Sequence, residues 1–232
     1  MVAAAITVVG VVFCVINTAI RIKGASLRSL LFKTICGVFF VMAGLAAVWQ
    51  MNTERLGLGL IVVLGLVLGL LGDIWLALKE LVANAHDNYM YAGFAAFGLS
   101  HICYVLGLGV AWQPVPLTWL CALIGPVILP LALVTLAPKL GLNFGSFKWT
   151  AAAYGFLLCS TGAVGLATAF GSGALIPQAL ILGIGGISFL ISDVVLAGSY
   201  FGRFSDSAWN QILCYVFYYG AQFTIALSLL AA

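Results

Sequence analysis

Two aspartates, Asp73 and Asp193, stand inside stretches built otherwise from apolar and small residues. A carboxylate in hydrocarbon costs a few kcal/mol on insertion scales, so such a residue faces a protein interior, pairs with something and, by default, serves a function. Two neighbouring carboxyls in a low-dielectric cavity tend to hold one proton between them. A pair in that state supports acid/base chemistry: one acid delivers a proton, while the other stabilises a cation and activates water. It also suits a proton or cation relay.

Other polar residues gather at comparable depth. Lys33 enters the second apolar run, Asn17 lies near the end of the first, and His101 sits mid-way along the fourth. Phe94, Phe97, His101 and Tyr104 share one helical face by three- and four-residue spacing, as do Tyr215, Tyr218, Tyr219 and Gln222. These stripes imply a polar cavity lined by aromatics. Each member also has a plainer reading: Lys33 snorkelling to the interface, His101 satisfying a helix partner, the tyrosines packing with satisfied hydroxyls. His86, in the polar stretch Asn84–Tyr89, reads as solvated.

The elements that must position these groups are membrane helices. Hydrophobic residues make up 64% of the 232 and charged residues 6%, a balance that leaves too little polar surface for water, so the solvent is lipid. A net charge of +3 offers no dense basic footprint, which excludes nucleic acid as a partner. Polar, Gly and Pro interruptions divide the chain into eight spans, about 2–20, 30–50, 56–78, 90–112, 117–136, 148–170, 174–201 and 209–231. The expected fold is an all-α polytopic bundle of eight transmembrane helices, a single transmembrane domain over residues 1–232. The first run carries no charged leader or cleavage site and is read as a helix, not a signal peptide. All six cysteines fall in apolar runs without a CxxC pair, and read as small buried hydrophobes.

Eight of the nine Lys and Arg residues (Arg21, Lys23, Arg28, Lys33, Lys79, Lys139, Lys148, Arg203) fall at one set of helix ends, and only Arg55 at the other. The positive-inside rule then makes both termini non-cytoplasmic. Asp73 lies six residues before Lys79, roughly 9 Å at the helical rise, and Asp193 ten before Arg203, roughly 15 Å, so both belong to the cytoplasmic half. Leu71-Gly72-Asp73-Ile74-Trp75-Leu76-Ala77 is echoed 120 positions later by Ile191-Ser192-Asp193-Val194-Val195-Leu196-Ala197. That echo suggests two parallel four-helix pseudo-repeats, their aspartates facing each other across an axis along the membrane normal.

Four stretches carry a family likeness: Leu31-Phe32-Lys33; Leu71-Gly72-Asp73; Gly93 to Tyr104, with Phe94, Phe97 and His101 inside it; and Phe189 to Asp193 followed by Tyr218-Tyr219-Gly220-Ala221-Gln222. In type and order they resemble the YhhN-like lysoplasmalogenase family, eight-helix membrane proteins that hydrolyse the vinyl-ether bond of lysoplasmalogens. Thr34 departs from that pattern, which usually has a proline after the lysine. The resemblance implies that Asp73 and Asp193 are the catalytic pair, with Lys33, His101, Tyr104 and Gln222 around them. Asn17, Tyr215, Tyr218 and Tyr219 complete the expected substrate-binding set.

A vinyl ether hydrolyses by protonation at the carbon β to oxygen, capture of the oxocarbenium by water, and collapse to a fatty aldehyde and a glycerophospho-alcohol. On this reading Asp193 is the acid, Asp73 the water-side partner, and Lys33 a point charge for the phosphate of a lysophospholipid, with either an ethanolamine or a choline headgroup. No metal or cofactor is expected. A zinc-dependent ceramidase-like hydrolase needs a histidine-rich shell, and only His86 and His101 exist. A transporter should show matching helix breaks in both halves, yet Pro126 and Pro130 of the fifth span have no counterpart in the first.

Overall fold

Polarity in this molecule is inverted relative to a protein built for water. Gln222, His101 and Asn17 are fully buried, while Val8 and Leu120 are two-thirds exposed on the outer surface. Lipid is the solvent that makes this arrangement favourable. The computed structural model describes residues 1–113, 116–171, 173–202 and 207–231; Arg203, counted in the charge bias, lies outside the described residues.

Among the described residues there are nine α-helices and no strand: α1 (Val2–Arg21), α2 (Leu27–Val48), α3 (Leu56–Leu81), α4 (His86–Trp112), α5 (Pro116–Ala122), α6 (Ile124–Leu136), α7 (Lys148–Gly171), α8 (Pro177–Phe201) and α9 (Ala208–Ser228). α5 and α6 meet at Leu123 and together form one broken span, so the bundle has eight rods. Seven are long and apolar enough to cross a membrane. The eighth, α9, has 21 residues and the length to cross, but Asn210, Gln211, three tyrosines and Gln222 dilute its apolarity. It is polar because it faces the other helices.

Several boundaries differ from the sequence expectation, each for a local reason. α2 starts at Leu27, not near residue 30, because Ser26 and Ser29 form a reciprocal capping box: the Ser29 amide donates to Ser26 Oγ at 3.1 Å and the Ser26 amide to Ser29 Oγ at 2.9 Å. The stretch from His86 to Tyr89, expected in a loop, is the first turn of α4, where Asp87 complements the positive end of the helix dipole. α3 continues through Lys79 and Glu80, so Lys79 is buried within a helix and does not mark a solvated end. The fifth span breaks at Leu123 because Pro126 cannot donate to the Ala122 carbonyl and its ring crowds that position. Among the cysteines, Cys14, Cys36 and Cys159 are buried as expected, Cys103 and Cys214 are only partly so, and Cys121 is exposed on the outer face; all six are free thiols.

Consecutive rods pack on one another except α4 and the α5–α6 span, which lies against α7 instead. The two halves join through α4 against α7 and α9 against α2. The correspondence of α2 with α7, α3 with α8 and α4 with α9 that the sequence echo implies interchanges these two contacts. α9 departs from that symmetry by also touching α1 and α3, which draws its polar face into the bundle.

Backbone contact between α7 and α8 holds the second half together. A Cβ built on Gly165 would lie 2.6 Å from the Gly183 Cα, and one on Gly186 would lie 2.7 Å from the Gly162 nitrogen. In lipid, where apolar side chains gain nothing by leaving solvent, such close small-residue packing is the main source of helix association. Gly165→Ala is expected to destabilise the protein in detergent unfolding by about 1–3 kcal/mol. Gly125→Ala, where an added Cβ meets nothing within 4 Å, should shift stability by less than about 0.5 kcal/mol. Equal midpoints for the two variants would refute this account of the α7–α8 contact.

Candidate active site

Asp73 closes a face of α3 that is otherwise glycine: Gly65, Gly69, Gly72 and Asp73 follow helical spacing along one side. The glycines leave room for large partners to press against the backbone. A Cβ at Gly69 would lie 2.8 Å from Gln222 Nε2, and one at Gly72 would lie 2.7 Å from the Phe97 ring. The same stripe admits Tyr104 beside Gly65.

This packing assembles a hydrogen-bond chain that ends on the acid. The Tyr104 hydroxyl donates to Gln222 Oε1 at 3.4 Å, Gln222 Nε2 donates to the Tyr218 hydroxyl at 3.0 Å, and that hydroxyl donates to Asp73 Oδ2 at 2.6 Å. The other Asp73 oxygen, Oδ1, pairs with Lys33 Nζ at 3.0 Å; the Asp73 side chain is buried and that of Lys33 mostly so. Asp73 thus faces a cation on one oxygen and a phenol on the other.

Asp193 has a different partner. The Tyr154 hydroxyl, from α7, donates to Asp193 Oδ2, and no cation forms an ion pair with this carboxyl among the described residues. Neighbouring Ser192 and Cys214 share a 3.4 Å contact between Oγ and Sγ.

Both aspartates line one cavity of about 470 Å³, within the range of small-molecule sites. Lys33, Tyr154, Tyr215 and Tyr218 line it with them, and Phe94, Phe97, Leu129, Leu133 and Leu158 supply apolar wall. The remaining sequence candidates stand behind that wall. Tyr104 and Gln222 are fully buried and reach the cavity only through Tyr218. Asn17 donates from Nδ2 to the Tyr219 hydroxyl at 2.9 Å, a separate buried pair, and Tyr219 stacks on Tyr215. His101 meets Thr161 Oγ1 through Nδ1 at 2.9 Å, packs edge-on against Phe189, and does not border the cavity.

Tyr154 was not singled out from the sequence, although a signal for it exists. It follows Lys33 by 121 positions, nearly the offset between the two aspartates, and each of the two contacts the acid of its own half. Arg21, counted from the sequence only in the charge bias, and Glu80 and Tyr200, not singled out there, also line the cavity at its basic end.

The polar cluster borders a cavity of small-molecule size with an apolar wall, and the two acids on it have unlike surroundings. Among the described residues no three His, Cys, Asp or Glu side chains converge as a metal-holding group. Searches among curated proteins and among solved structures return no match. The YhhN family model matches residues 28–229, nearly the whole chain and all the residues just described except Asn17 and Arg21. By that match the chain belongs to the YhhN family, the family of lysoplasmalogenases.

Proposed function

We propose that this protein is a membrane hydrolase that cleaves the vinyl-ether bond of a lysoplasmalogen to release a fatty aldehyde and glycerophosphoethanolamine or glycerophosphocholine. The observation that supports this best is the unequal surroundings of two acids on one cavity. Asp73, between the Lys33 ammonium and the Tyr218 hydroxyl, is stabilised as the anion. Asp193, whose resolved partner is a neutral phenol, is the acid able to carry a proton.

In the forward reaction Asp193 transfers its proton to the alkenyl carbon β to the ether oxygen. The C=C pair forms the new C–H bond, and positive charge spreads over the adjacent carbon and oxygen. Asp73 stabilises that cation and takes a proton from the water that attacks it, giving a hemiacetal. The hemiacetal collapses by cleavage of the bond between its carbon and the glycerol oxygen. Its hydroxyl proton leaves, the glycerol oxygen takes one up, and return of the Asp73 proton to Asp193 restores the starting state. Tyr154 fixes the Asp193 oxygen that does not donate, and the apolar wall receives the hydrocarbon chain. The basic helix ends beside the cavity support a site in the cytoplasmic half, with both termini non-cytoplasmic, by the positive-inside rule.

Asp73→Asn and Asp193→Asn should each lower turnover of an alkenyl lysophospholipid by at least about 100-fold, the range for a general acid or base. Release of free long-chain aldehyde, followed by mass spectrometry in reconstituted membranes, checks both. Near-normal rates in both variants would dismiss the mechanism, and release of a fatty acid from an acyl lysolipid without aldehyde would dismiss the substrate class.

Tyr154→Phe keeps the ring and removes the hydrogen bond to Asp193; kcat should fall about 10-fold with KM little changed. Incubation with EDTA should leave turnover unchanged; loss of activity with recovery on adding zinc would favour a zinc hydrolase instead.

A further inference from the structure

Six residues beyond Asp73, Lys79 points its ammonium into the protein. It is only 4% exposed, its Nζ lies 3.0 Å from the centre of the Tyr200 ring, and it has no ion-pair partner among the described residues. A buried cation without an anion carries a large desolvation penalty. A cation–π contact returns only part of it. Among the described residues none supplies the anion, and the open hollow in front of Lys79 points to one brought by a ligand.

Space for one is present. Lys79 lines a second, open hollow of about 720 Å³ at the basic end of the bundle. Arg21, Glu80 and Tyr200 border this hollow on one side and the cavity of the two aspartates on the other. Arg21 pairs with Glu80 at 2.6 Å, and the Tyr200 hydroxyl donates to Glu80 at 3.4 Å. The pair therefore lies between the two spaces. Among the described residues that line the hollow, Arg21, Lys79 and Glu80 carry formal charge and sum to one positive charge, the complement of a phosphodiester.

The distance also fits. Glu80 follows Asp73 by seven residues, on the same face of α3 and about 10.5 Å along the axis. In an alkenyl glycerophospholipid five bonds of roughly 1.5 Å each separate the sn-1 ether oxygen from phosphorus, and seven separate phosphorus from the alkenyl carbon that takes the proton, so the headgroup reaches towards this level while that carbon stays at the acids. Lys33, by contrast, is held by Asp73.

We propose that Lys79 and Arg21 form the binding site for the phosphate of the substrate headgroup, in the hollow beside the Arg21–Glu80 pair. This rests on the lipid-hydrolase reading for its substrate and adds to it the residues that select a phosphate-bearing lipid. Lys79 and Arg21 touch the headgroup and not the reacting atoms, so they act on binding and not on the chemical step.

Kinetics of Lys79→Met and Arg21→Gln in full-length reconstituted protein provide the test, with an alkenyl glycerophosphoethanolamine compared against the phosphate-free alkenylglycerol. For the phosphorylated lipid KM should rise about 10-fold or more while kcat stays within about 2-fold, and Lys79→Arg should restore KM. The phosphate-free lipid should be handled alike by all variants. Equal losses on both lipids, or no loss on either, would overturn the assignment.

A binding arm separates this claim from the catalytic one. Wild-type protein in nanodiscs is titrated with 1-acyl lysophosphatidylethanolamine, with 1-monoacylglycerol and with inorganic phosphate. Preference for the phospholipid that disappears in Lys79→Met upholds the site even where no vinyl ether is cleaved. Phosphate binding alone, dependent on Lys79, upholds the site and assigns it to the free anion. Equal affinity for the phospholipid and the monoacylglycerol would refute it.

Discussion

The ion pair between Lys33 and Asp73 is the constraint around which the first half of the bundle is arranged. Neither charge is tolerable alone at that depth, so α2 and α3 must meet with these residues in register. The pair still leaves one carboxylate oxygen to satisfy. Tyr218 of α9 does so, and Gln222 and Tyr104 hold Tyr218 in turn. Four helices are thereby tied to one carboxylate. The glycines of α3 follow from the same requirement, because Tyr104 and Gln222 reach their places only where that helix has no side chain to oppose them.

The second half repeats the frame and changes its chemistry. α3 and α8 carry matching heptapeptides, each acid is met by the preceding helix of its own half, and one pair is a carboxylate with an ammonium while the other is a carboxyl with a phenol. A symmetric scaffold holding unlike partners makes two identical side chains inequivalent, which is the condition for one to act as acid and the other as base. The same inequivalence argues against a simple ion relay, in which passing a cation from site to site calls for similar stabilisation at both. α1, the counterpart of the broken α5–α6 span, is an unbroken helix.

How far the sequence could be read depended on the physics behind each signal. The spans stood out because lipid demands about twenty apolar residues in a row, and the aspartates because the same medium penalises them. Helix ends were harder: the start of α2 depends on two serines bonding each other's backbone, and the break at Leu123 on a proline three residues later. Among the site residues Lys33, Tyr215 and Tyr218 could be placed from charge and helical spacing. Tyr154 could not, since a lone tyrosine in an apolar run is usually packing, and only the partner across from it distinguishes it. His101 and Asn17 illustrate the converse: lipid explains why they are buried and paired, but burial alone does not bring a side chain to the cavity.

Lys79 separates two meanings of a basic residue near a membrane surface. Counted as part of a charge bias it contributes to topology, for which any exposed lysine at that end would serve. A lysine needed only for that purpose would extend into water, because its long stem allows the ammonium to stay hydrated while the helix end remains in lipid. Lys79 instead turns inward against the Tyr200 ring, beside a charged pair that borders both hollows. The orientation gives up hydration that was within reach, and that loss is recovered only when an anion occupies the space in front of it. On this view headgroup and ether are read at opposite ends of one stretch of α3, with about two helical turns between them setting which lipids place their scissile bond against the acids.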